Sequence, residues 1–124
     1  MNTFHKGAAL VVLIAVVSLV AAVSAFGGAS STAATTVAVT AGKPAEFKFT
    51  LSKKTIAKGV TTFNVTNKGS LSHDFKIAGK KTPSLRAGRK ATLKVTFKKA
   101  GKFAFLCTVP GHAAGGMKGT LTVK

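Results

Sequence analysis

Short runs in which apolar residues alternate with Lys and Thr constrain this chain more than any other feature. Phe47, Phe49 and Leu51 share one phase, with Glu46, Lys48 and Thr50 on the other. A period of two puts successive side chains on opposite faces of an extended strand. Phe63 and Val65 repeat the pattern before a turn signal at Asn67-Lys68-Gly69, and Leu93, Val95 and Phe97 repeat it before Ala100-Gly101. Phe103 and Phe105 lead a further run, Leu121 and Val123 the last, and Val37 to Thr40 supplies the first. No stretch sustains a 3.6-residue period, and no internal repeat is present. The pattern predicts an all-β domain of about seven to eight strands, as two antiparallel sheets packed into a sandwich with lysines outward.

The first 25 residues stand apart from that pattern. Lys6 closes a short polar start, and Gly7 to Phe26 then runs 20 residues without a charge. Val23-Ser24-Ala25 fits the small-residue close that precedes a signal-peptidase cut. A bilayer-spanning helix needs about 20 apolar residues, so residues 1–25 read as a signal peptide or an N-terminal membrane anchor. Residues 26–36 (FGGASSTAATT) read as a flexible Gly/Ser/Thr/Ala tether. Residues 37–124 remain for one small folded unit. The unit is therefore expected to be exported, on the periplasmic or extracellular face of a membrane.

Charge and cysteine usage remove several function classes. Against 19 Lys+Arg the chain has only two acids, Glu46 and Asp74, so a catalytic carboxylate pair has almost nothing to draw on. The single Cys107 excludes an internal disulfide and a Cys-x-x-Cys metal or redox pair. Cutting after residue 25 removes Lys6 alone and leaves 18 basic against 2 acidic side chains, a formal charge of +16. Lys48, Lys76 and Lys94 take outward strand positions. Such a field steers encounters with anions, which suits an acidic docking surface on a partner protein or an anionic membrane or envelope. Nucleic acid fits poorly, because the Phe residues fall on the inward phase and form no stacking platform.

Strand parity carries the chemistry. Two residues beyond Phe105 the inward phase reaches Cys107; two before Phe75 it reaches His73; and backward from Val123, Leu121 and Gly119 it reaches Met117. Singly, each has a bland explanation: a small core thiol, a satisfied histidine, a core methionine. Together they are not bland. Cys107-Thr-Val-Pro-Gly-His112-Ala-Ala-Gly-Gly-Met117 spaces its groups as Cys-x4-His-x4-Met, and its Pro-Gly and Gly-Gly steps let the chain turn tightly. Two imidazoles and a thiolate with a distant thioether are the blue-copper electron-transfer set.

This constellation resembles the cupredoxin family of small blue copper proteins, most closely its rusticyanin- and sulfocyanin-type members. The resemblance covers the whole domain: a first His on a mid-chain strand, then the Cys-His-Met loop before the final strand. It implies a Greek-key β-sandwich and one type 1 copper cycling between Cu(II) and Cu(I). The metal ligands it implies are His73, Cys107, His112 and Met117. It further implies a monomer that passes single electrons between redox partner proteins and is not an enzyme, with His112 at the surface as the electron port. Phe75, Phe103 and Phe105 are candidates for the apolar shell. Asp74 stands where many members have Asn tying the two ligand loops together. A second copper centre would need further histidines, and only His5 in the leader remains. The alternative function is an envelope protein that buffers or delivers copper.

Overall fold

The computed structural model describes residues 34–124, so the expected signal or anchor segment and most of the tether lie outside the described residues. Nine strands follow in order: β1 (Thr35–Ala41), β2 (Phe49–Leu51), β3 (Thr55–Ile56), β4 (Gly59–Asn67), β5 (Lys76–Ile77), β6 (Lys80–Lys81), β7 (Lys90–Phe97), β8 (Gly101–Leu106) and β9 (Lys118–Val123). They form a four-stranded sheet, β2-β1-β4-β7, and a five-stranded sheet, β3-β9-β8-β5-β6. No helix among the described residues is long and apolar enough to cross a membrane. The all-β, two-sheet architecture matches the alternation. The count exceeds seven or eight because β3, β5 and β6 have two residues each, too few to show a period.

Strand direction departs from the sequence pattern. Both sheets are mixed: β1 runs parallel to β4, and β3 parallel to β9. A period of two reports which face a side chain takes, and it is silent on which way the neighbouring strand runs. The β1–β4 register sets Val37 beside Phe63, Val39 beside Val65 and Ala41 beside Asn67, all buried. Facing them across the sandwich are Phe75, Ile77, Phe105, Leu121 and Val123. Burying each such side chain contributes roughly 1.5–3 kcal/mol. Phe75 sits at the hub, with ring centroids 5.3 Å from Phe63, 5.4 Å from Phe49 and 5.6 Å from Phe105.

Two aromatic residues lie elsewhere than their phase implies. Phe103 packs on Phe97 at 4.9 Å. Phe97 pairs with Gly59 at the start of β4, so Phe103 serves the end of the sandwich away from Cys107 and is no part of a shell around it. Phe47 lies in the turn before β2 and is 36% exposed. The strand that would have carried it inward begins only at Phe49.

Candidate metal centre

The ends of β1, β4 and β8 converge at one pole of the sandwich, and a small second core forms there from Ala41, Cys107 and Met117, with Phe49 and Val109 against it. Cys107 is the residue after β8, on the same inward phase as Phe105. From it the chain turns through Pro110 and Gly111, whose φ of 84° is a left-handed conformation that glycine adopts without a Cβ penalty. The loop then closes on its own backbone. His112 N–H donates to Val109 C=O (3.1 Å), Gly115 N–H to Gly111 C=O (3.0 Å), Met117 N–H to His112 C=O (3.0 Å), and Cys107 N–H to Met117 C=O (3.1 Å). Two residues far apart in the loop are thereby fixed side by side.

His73 is held by a different device. It lies outside the strands, in an isolated two-bond bridge: His73 N–H to Leu85 C=O (2.9 Å) and Leu85 N–H to His73 C=O (2.7 Å). Asn67, fully buried at the end of β4, organises the surroundings. Its Nδ2 donates to the carbonyls of Leu71 and Leu85, both at 2.7 Å, and its Oδ1 accepts from Gly69 N–H at 2.8 Å. Every polar atom of that amide is satisfied away from water, so it works as a fixed clamp.

The two segments bring His73, Cys107 and His112 together, with their donor atoms within 4.8 Å of one another. Nδ1 of His73 is 3.1 Å from Nδ1 of His112, and Cys107 Sγ is 3.6 Å from the latter. All three residues are buried, at 1%, 1% and 8% exposure for His73, Cys107 and His112. His112 is thus covered where an open surface position was implied. Its cover is Phe47, whose ring meets it edge-on at 4.9 Å.

Burial, and then the neighbouring His73, push the His112 pKa below the usual imidazole value. The ring therefore stays neutral and keeps a lone pair. Burial also pushes the Cys107 thiol up, with Asp74 adding to the effect against the opposing N–H contacts of Asp74 and Val109. A thiolate at that depth needs a cation in place of its proton. Two ring nitrogens and one sulfur within 4.8 Å of one another in apolar surroundings, with the fully buried Met117 in the same small core as Cys107, fit a blue copper site.

Asp74 ties the halves together. It accepts from Thr108 N–H at 2.6 Å and from the Thr108 hydroxyl, while its own N–H points at Cys107 Sγ at 3.5 Å. Glu46 reaches the centre although strand parity places it only on an outward phase. Its carboxylate accepts from Ser70 N–H (2.9 Å) and Leu71 N–H (3.0 Å) and lies 2.6 Å from His73 Nε2. Those backbone donors, and then His73, hold its pKa down at about 2. Composition carried the available signal: both acids of a chain with 19 Lys+Arg stand at this one centre.

A family model described as a cupredoxin-like domain matches residues 8–123. The chain belongs to the cupredoxin-like family. Solved structures similar to this cupredoxin-like chain include a dithionite-reduced auracyanin from Roseiflexus castenholzii, 23% identical, covering 73% of this chain and 98% of its own, with a TM-score of 0.61. Auracyanin A from Chloroflexus aurantiacus, described as a "blue" copper protein, is 20% identical over 72% of this chain and 98% of its own, with a TM-score of 0.62. Rusticyanin from Thiobacillus ferrooxidans is 22% identical over 72% of this chain and 76% of its own, also at 0.62. At these identities the likeness is one of fold. Among curated protein sequences none matches.

Proposed function

We propose that this cupredoxin-like chain is an exported blue copper protein that carries single electrons between partner proteins. The observation that carries the reading is the convergence of His73, Cys107 and His112 within 4.8 Å, on two separately braced segments. The groups that would hold copper are the Nδ1 atoms of His73 and His112, Cys107 Sγ and Met117. Copper, when bound, supplies the Cu(II)/Cu(I) couple. The chain's part is to keep its donors still and dry. The closed 107–117 loop, the His73–Leu85 bridge and the Asp74–Thr108 tie restrict movement, and the Phe49, Phe75 and Phe105 cluster beneath excludes water. His112 is the least buried of the three donors, and the exposed Phe47 beside it offers an apolar contact for a partner.

Residues 1–25 support delivery across a membrane, with residues 26–36 as tether and the copper domain beyond. The excess of 19 Lys+Arg over 2 Asp+Glu supports a partner with an acidic docking face, because Glu46 and Asp74 are already engaged at the centre and leave the rest of the surface basic. The test is a visible spectrum of the copper-loaded protein with metal stoichiometry. One copper per chain and an intense blue band are expected, and Cys107→Ser should abolish the band. A band that survives that change removes the thiolate assignment. Loss of the ion on each reduction, instead of reversible cycling, would turn the reading to copper delivery.

A further inference from the structure

We propose that Glu46 is a positioning residue of the metal centre: its carboxylate holds the Nε2–H of His73, leaves Nδ1 as the metal-facing donor, and adds a fixed negative charge that lowers the reduction potential. The second half rests on the copper reading above; the first half does not.

A lone carboxylate on a lysine-covered surface would ordinarily sit among lysine ammonium groups in water. Glu46 does the opposite. Among the described residues its ion-pair partner within 4.0 Å is His73, at 2.6 Å. An ionised carboxylate only accepts hydrogen bonds, so at this distance Nε2 must carry the proton. In a neutral ring Nδ1 then bears the lone pair, and Nδ1 is the atom turned toward His112, 3.1 Å away. Outer carboxylates that fix a ligating imidazole in this way also raise its basicity.

The surroundings are shaped to the pair. A Cβ at Gly69 would collide with both Glu46 Oε1 and His73 Nε2, and a Cβ at Gly42 would collide with the Gly69 backbone. Glycine at both positions lets the turn after β1 close down on the segment that follows β4. That one turn reaches both imidazoles, Glu46 touching His73 and Phe47 touching His112. The Ser70 and Leu71 N–H groups orient the carboxylate, so its charge stays in place. A negative charge held near the centre favours the more highly charged, oxidised ion.

The test uses Glu46→Gln, which keeps the shape and removes the charge, with Glu46→Ala and Glu46→Asp beside it. In the copper-loaded protein Glu46→Gln should keep its blue band and its metal stoichiometry while its reduction potential shifts positive. Glu46→Ala should shift at least as far, and Glu46→Asp should recover part of the wild-type value. An unchanged potential in a blue Glu46→Gln protein overturns the charge role. In the metal-free protein, nuclear magnetic resonance should show a slowly exchanging, downfield Nε2–H proton on His73 that disappears in Glu46→Ala. Its absence from the wild type overturns the positioning role. A wild-type protein with no blue copper would defeat the function proposed above and the charge role with it, whereas the resonance would still decide the pairing.

Discussion

The two halves of the centre are built on opposite plans. The Cys107–Met117 half is local: eleven residues of chain close on themselves through backbone hydrogen bonds, with glycines at the tight steps. The His73 half is assembled from a distance. Leu85 bridges its backbone, Glu46 holds its ring from 27 residues away, and Asn67 clamps the segments on either side. Asp74, next to His73, reaches across 34 residues to Thr108 and is the visible seam between the halves. A local loop can keep its shape while the rest loosens. An arm built on long-range bonds depends on the sandwich beneath it.

Changes that act on one half should separate them. Asn67→Ala has the largest expected effect, because it strips partners from Leu71 C=O, Leu85 C=O and Gly69 N–H at a buried position. It should cost about 3 kcal/mol in denaturant unfolding. Native-state hydrogen exchange should lose protection at the His73 and Leu85 amides and keep it at His112 and Met117. Equal losses in both halves would show that the halves are one cooperative unit.

Asp74→Ala acts on the seam. It leaves the Thr108 N–H without its acceptor and should cost about 2 kcal/mol, with protection falling on both sides together. Gly111→Ala gives the smallest effect, about 1 kcal/mol. No atom stands within 4 Å of the added Cβ, so the cost is the positive φ alone. Here the pattern of protection should invert, with His112, Gly115 and Met117 exchanging faster and His73 unchanged.

The same division governs how much could be read in advance. Phe63, Val65, Val95, Phe97, Leu121 and Val123 announce their inward faces by alternation, and all are buried. Cys107 and Met117 ride on the same phase, so their meeting at one pole follows from strands β8 and β9 pairing side by side. His73 was reachable by parity from Phe75, although the strand supposed to carry it shrinks to Lys76–Ile77. Phe47 shows where parity stops. A turn replaces the strand at that point, and the ring leaves the core for His112. The parallel runs of β1 with β4 and β3 with β9 left no trace in the pattern either.

The amino-acid sequence by itself determined the strands, the inward faces and the spacing of the Cys-His-Met loop. Those features depend on bonds and side-chain directions within a few residues of each other. Only the tertiary structure decided that Glu46 meets His73, that Asn67 clamps Leu71 and Leu85, that Phe47 covers His112, and that Phe103 belongs to the far pole. Each of these joins segments that no local period relates. A buried hydrogen bond or ring contact exists only once the turns have folded over one another and excluded the water that would otherwise compete for it.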